Sequence, residues 1–238
     1  DDEYFDPEAV DVQAGQRVLD VAAGNGNATL AAARRGCEVT STDYVGALLD
    51  RAAKRAAAEG LTVEFKEADA EALPFQDASF DVVLSTFGVM FAPDHSRTGR
   101  ELLRVCRPGG HIGLANWTPE GFIGQLFKTV GRHVPPPAGV KSPALWGTEA
   151  WLREIFGDQI AALKATRKHF VFRYRSAQHW LETFRTYYGP TLRAFAALPA
   201  DKQDALAADL IALAQRSNSG ADTFAAPSEY LEVVLTKR

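Results

Sequence analysis

Short apolar runs alternate with alanine-rich amphipathic stretches through the first half of the chain, and each change of period marks a new element. Residues Arg17–Ala22 (RVLDVA) are almost continuously apolar, the pattern of a buried strand. Asn27–Arg35 favours a helix through its alanines, with Asn25 or Asn27 available as a cap and Gly36 as a stop. Cys37–Thr42 makes a second strand that stops at Asp43, and Leu48–Glu59 a helix closed by Gly60. Thr62–Glu67 alternates as a third strand and Phe80–Ser85 makes a fourth. A helix runs through Arg100 to Cys106, Pro108-Gly109-Gly110 makes a turn, and His111–Asn116 is a fifth strand. This rhythm predicts βαβ units and an α/β, doubly wound, mostly parallel sheet with helices on both faces.

The second half reads differently. Val134–Trp146 holds four of the twelve prolines and is irregular. Thr148–Phe156 is a helix capped by Thr148, Leu163–Tyr174 has strand propensity, and Ser176–Tyr187 and Asp201–Gln215 are helical. Glu229–Thr236 is a closing strand. We therefore expect a Rossmann-like core over residues 1–117, an insertion and sixth strand over 118–176, and helices with the closing strand over 177–238 that complete the same domain. No internal repeat is visible.

Composition narrows the function classes. The net charge is −4, and the basic clusters at 34–35, 51–55 and 167–175 are short and mixed with apolar residues. That argues against a nucleic-acid partner, whose phosphates call for a continuous basic face, and favours a small molecule. No apolar run reaches the roughly 18–20 residues of a membrane span. Cys37 and Cys106 form neither a disulfide framework nor a zinc pattern, so both are expected as buried thiols in a cytoplasmic protein, with no metal. The chain begins at Asp1 rather than Met, which leaves a leader open, and pairing as a homodimer is equally open.

Chemistry concentrates in VLDVAAGNGNATL, residues 18–30. Ligands of doubly wound sheets sit beyond the carboxyl ends of the strands, where strand order reverses. Glycines such as Gly24 and Gly26 let main chain approach a ligand closely. Asp43, roughly twenty residues after Asp20, suits the two hydroxyls of a ribose. A dinucleotide fingerprint needs a third glycine where Thr29 stands, and Asp20 is unfavourable beside a pyrophosphate. An adenosine ligand carrying an ammonium and a sulfonium, without phosphate, matches better.

These residues resemble the first motif of the class I S-adenosylmethionine-dependent methyltransferases. Asp43 is similar to that family's ribose-binding acid, and Ala68-Asp69-Ala70 to its adenine-edge segment. Phe80-Asp81-Val82-Val83 and Arg107-Pro108-Gly109-Gly110 resemble its fourth strand and following turn. The resemblance spans residues 17–116. Ala22 departs from it, standing where the family has the first loop glycine. The ordering DxAxGNG, LPFQDASFD, RPGG is similar to the small-molecule branch that includes the ubiquinone and menaquinone methyltransferases. The resemblance implies a seven-stranded sheet with an antiparallel closing strand. It also implies S-adenosyl-L-methionine as cofactor, held by Asp20, Ala22, Gly24, Gly26, Asp43, Tyr44, Asp69, Ala70 and Ser85.

In-line methyl transfer asks a protein to align a nucleophile and exclude water, with a base only where a proton must leave. Expected substrate contacts are Phe87, Met90, Phe91, Asn116, Trp117, Phe122 and Trp146, with His95 as the one candidate base. The insertion after the fifth strand is expected to act as a lid, and Tyr4-Phe5 to close the pocket or to be a frayed end. The loop Ser85-Thr86-Phe87-Gly88 lacks the N/D-P-P-Y/F pattern of amino-methylating nucleic-acid enzymes. Two other readings compete: a nucleotide-dependent oxidoreductase, and a binding module without catalysis.

Overall fold

The computed structural model describes residues 7–238, so Tyr4 and Phe5 lie outside the described residues. In chain order the elements are β1 (Arg17–Val21), α1 (Asn27–Arg34), β2 (Glu38–Asp43), α2 (Gly46–Ala58), β3 (Val63–Glu67), β4 (Phe80–Thr86), α3 (His95–Val105) and β5 (Cys106–Trp117). There follow α4 (Phe122–His133), α5 (Glu149–Phe156), β6 (Ile160–Tyr174), α6 (Ala177–Tyr187), α7 (Gly189–Ala196), α8 (Ala200–Ser217) and β7 (Phe224–Lys237).

Seven strands form one sheet in the order β3-β2-β1-β4-β5-β7-β6. The pairs β1–β2, β2–β3, β1–β4 and β4–β5 are parallel. Strand order therefore reverses between β1 and β4, which is the switch point of the sheet. His111 meets Thr236 while Thr118 meets Glu229, so β7 runs antiparallel to β5. The expected α/β architecture with its antiparallel closing strand is what the chain adopts. After its first residue β1 is buried throughout, as a central parallel strand should be, whereas β3 at the edge is half exposed.

The chain divides into two compact units. One comprises residues up to Asn116 with Thr148–Thr166 and Leu231–Arg238, and the other Trp117–Gly147 with Arg167–Tyr230. The first is built on the sheet. Its core includes Val18, Leu19, Leu30, Val82, Val83, Leu84, Ile112 and Leu114, all fully buried. The second carries an aromatic core: Trp180 lies 5.1 Å from Phe122, 5.0 Å from Phe184 and 5.7 Å from Phe224 between ring centroids.

Three local details differ from the sequence pattern. The Arg107-Pro108-Gly109-Gly110 segment is an irregularity inside β5 rather than a turn before it. The register passes from Phe80 opposite Cys106 to Val82 opposite His111, and the glycines accommodate the extra residues. A Cβ on Gly110 would lie 2.7 Å from the Asp81 carbonyl oxygen, so only glycine fits there. Residues 122–133 form a full helix whose buried Phe122, Ile123, Leu126 and Thr129 keep helical spacing; Gly124 and Gly131 hide that period. Finally, α1 is capped by Gly26 in the left-handed region, not by Asn25 or Asn27. Thr148 does cap its helix, accepting from the Trp151 N–H.

Candidate functional site

The loop after β1 is shaped by three left-handed residues: Ala22 at φ 53°, Gly24 at 58° and Gly26 at 84°. Glycine adopts this region freely, while alanine is strained there by about 1 kcal/mol or more. Ala22 thus holds a backbone conformation that glycine favours. The two glycines differ in surroundings. A Cβ on Gly24 meets nothing within 4 Å, while one on Gly26 would sit 2.9 Å from the Ala52 Cβ. Gly26 is needed for helix packing, and Gly24 borders open space.

Asp43, 5% exposed at the end of β2, organises the neighbouring loops. Its Oδ2 accepts from the Gly24 N–H at 2.9 Å and its Oδ1 from the Val45 N–H at 2.8 Å. The Asp43 carbonyl accepts from the Ala68 N–H at 3.0 Å, and the Thr42 carbonyl from the Ala23 N–H at 2.9 Å. The ends of β1, β2 and β3 are thereby tied into one rim. Tyr44 stands on it, 60% exposed. Asp69 turns back on itself, its Oδ1 accepting from the Glu71 N–H, with Ala70 between them half-buried.

Asp20 lies beneath this rim, 1% exposed. Its Oδ2 accepts from the Thr29 hydroxyl at 2.6 Å, and its Oδ1 has no partner among the described residues. Burial pushes its carboxyl up to about 7, against the lowering influence of the Thr29 hydroxyl and N–H, and the nearby Asp43 charge raises it further. A buried acceptor left open in this way makes Asp20 a candidate ligand contact.

Beyond β4, Phe87 adopts φ 52° and donates its N–H to the Ala115 carbonyl at 2.9 Å. A Cβ on Gly88 would collide with the Ala22 carbonyl oxygen, so this loop rests directly on the first. Phe91 is 37% exposed and Met90 fully buried. Ser85, expected to touch a ligand, is committed elsewhere. Its hydroxyl donates to the Val21 carbonyl at 2.8 Å and accepts from the Val89 N–H at 3.0 Å, bracing β4 against β1.

His95 also departs from expectation. It is 3% exposed at the start of α3, and its Nδ1 accepts from the Trp151 indole N–H at 3.0 Å. An indole nitrogen only donates, so the neutral imidazole carries its proton on Nε2. In that tautomer the Nε2 of His95 is a donor, and the acceptor nitrogen of the ring is already engaged by Trp151. Asn116 is fully buried near the end of β5, and neither atom of its amide has a partner among the described residues. Strand alternation puts it on the sheet face opposite Asp20 and Thr86. Trp117, Phe122 and Trp146 belong to the second unit, where all three are buried. Trp117 packs on Phe172 and Tyr230, and Phe122 on Phe172, Trp180 and Phe224. Cys37 and Cys106 are buried free thiols.

Two residues that local pattern does not single out complete the loop. Arg55 on α2 donates from one guanidinium nitrogen to the Asn25 carbonyl and to Asn27 Oδ1, each at 2.7 Å. Ser41 on β2 lies 2.9 Å from the Thr29 hydroxyl. Both contacts join positions distant in sequence. Among the described residues, no group of three or more His, Cys, Asp or Glu is arranged to hold a metal ion, and no helix is long and apolar enough to cross a membrane.

Residues 19–114 match the family described as a methyltransferase domain. An uncharacterized protein of Mycobacterium tuberculosis is 48% identical over 190 residues, covering 79% of this chain and 69% of that protein. The demethylmenaquinone methyltransferase of Deinococcus radiodurans is 36% identical over 143 residues, covering 58% of this chain and 59% of that one. In three dimensions the chain is similar to the YcgJ protein of Bacillus subtilis, with a TM-score of 0.66 at 20% identity over 97% of this chain and 95% of the other.

Proposed function

The chain belongs to the class I S-adenosylmethionine-dependent methyltransferases, and from that premise we propose that it methylates a small molecule at an O, N or C nucleophile by in-line transfer. The dinucleotide oxidoreductase reading gives way to this kinship.

S-adenosyl-L-methionine, when bound, supplies the activated methyl group. The residues of the rim fit it. Asp20 Oδ1 is a buried acceptor with no partner among the described residues, suited to an ammonium. Gly24 has open space where a side chain would stand, which lets main chain approach the amino-acid portion. Asp43 keeps lone pairs for two ribose hydroxyls beyond the N–H groups it already accepts. Tyr44 directly follows β2, and Asp69 and Ala70 follow β3, next in line along the sheet, where an adenine would lie. The single observation that carries the reading is the unpartnered, buried Asp20 oxygen at the switch point of the sheet.

On the acceptor side, Phe87 and Phe91 after β4 offer apolar surface beside the rim. The relative named for demethylmenaquinone supports a small and largely apolar acceptor for this chain too. With His95 in its donor tautomer, what the protein contributes is alignment and exclusion of water rather than proton removal by that ring.

Calorimetric titration with S-adenosylhomocysteine tests the reading. The wild type is expected to bind one equivalent, and Asp43→Ala to weaken it by about 100-fold, through loss of charge-assisted bonds to two hydroxyls. No heat with the wild type, or preference for NAD, would overturn the proposal.

A further inference from the structure

Thr29 stands in the first turn of α1 where a dinucleotide loop has its third glycine, and it is fully buried. Its hydroxyl touches two groups, Asp20 Oδ2 at 2.6 Å and Ser41 Oγ at 2.9 Å. A hydroxyl has one proton to donate. Because that proton goes to Asp20, Thr29 accepts from Ser41, and the bonds run Ser41 to Thr29 to Asp20. The Thr42 hydroxyl fixes the same residue from behind by donating to the Asp20 carbonyl at 3.1 Å. One carboxylate oxygen is thereby held from α1 and β2, and the other is left open at the carboxyl edge of the sheet.

We infer that Thr29 is a positioning residue that sets ligand selectivity: it clamps Asp20 so that the open oxygen meets the ammonium of the cofactor, making the site prefer the amino-acid-bearing nucleoside over the same nucleoside without that group. This rests on the cofactor reading above. A carboxylate clamped in one rotamer presents its acceptor without the entropy loss of ordering it at each binding event. The other charge acting on Asp20 is Asp43, also negative, so the clamp works against repulsion as well as burial. A glycine at residue 29 would leave Asp20 without its clamp.

The test compares two ligands on three proteins. Wild type, Thr29→Val and Thr29→Ser are titrated with S-adenosylhomocysteine and with 5′-methylthioadenosine, which keeps the adenosine and sulfur but lacks the amino-acid portion, ammonium and carboxylate together. Thr29→Val should weaken S-adenosylhomocysteine about tenfold, the size of one net hydrogen bond to a charged group, and change 5′-methylthioadenosine by less than about twofold. Thr29→Ser, which restores the hydroxyl, should recover most of the loss. Thr29→Ala gives the same comparison if valine at this buried position unfolds the chain. Equal weakening of both ligands, or no weakening of either, overturns the inference while leaving the cofactor reading intact. A wild type that binds neither ligand overturns both.

Discussion

The two units bury their side chains to opposite ends. In the first, the side-chain polar atoms buried without a partner among the described residues belong to Asp20, Thr86 and Asn116, each within the last two residues of a strand. In the second, buried surface is dominated by rings against rings: Phe172 alone has Trp117, Phe122, Phe170 and Phe184 within 4.9–6.1 Å. Trp180 Nε1 and Thr191 Oγ1, which have no partner among the described residues, are on helices rather than at strand ends. Unsatisfied polarity gathered at one edge of a sheet marks a place for a ligand, whereas aromatic burial marks a core.

Substitution at the centre of each region should separate them most widely. Trp180→Ala removes a fully buried ring and is expected to cost about 3–5 kcal/mol by denaturant melts. S-adenosylhomocysteine affinity of the folded protein should then stay within about twofold, since no loop residue is altered. Gly24→Val reverses the pattern. The new side chain meets nothing in the protein, so the fold loses only the backbone strain of about 1–3 kcal/mol, while affinity falls by about 100-fold or more. A Trp180→Ala protein that keeps its stability but loses the ligand would erase the distinction between the two regions.

How far the sequence announced this depends on how local each signal is. The strand, the glycines and the acid of residues 18–43 are local signals, and the structure brings Gly24 and Asp43 into hydrogen-bond contact. The donor tautomer of His95 depends on Trp151, 56 residues away, and no spacing in the sequence encodes that pairing. Asn27 looks like a cap because capping is its local preference, yet its amide accepts from Arg55 on another helix. Trp117, Phe122 and Trp146 have the composition of a substrate wall, and aromatics in a core have the same composition. Only packing separates the two.

Acidity offers a sharper probe of the ligand edge. The Asp20 carboxyl is raised to about 7 from 3.8, so the folded chain holds a proton there that the unfolded chain has released. Its contribution to stability is therefore present in full below about pH 4 and is lost as pH rises towards 7. Ligand binding has the opposite sign, because an ammonium needs the ionised carboxylate. Affinity for S-adenosylhomocysteine should climb from pH 6 to pH 8, approaching tenfold per unit below the midpoint, with a proton released on binding. Calorimetry in buffers of different ionisation enthalpy measures that proton directly. In Asp20→Asn the slope should vanish and the unliganded protein should melt higher at pH 8.

The smallest expected effect falls on Arg55, which touches the loop from behind. Three left-handed residues within five positions make residues 22–26 costly to hold in one shape, and glycine-rich chain is free to leave it. Arg55 restrains the tip twice, through the Asn25 carbonyl and the Asn27 amide. Its charge is no help to a cationic ligand or to the positive end of α1, so its benefit to binding is geometric. Arg55→Ala should weaken S-adenosylhomocysteine by about three- to tenfold, with the loss shared by 5′-methylthioadenosine because the whole loop loosens. Asn27→Ala should weaken binding less, and in the double variant it should add little to Arg55→Ala, since one contact is counted in both. Full additivity in that cycle would show that the two side chains act separately, and would remove α2 from the account of how the loop is held.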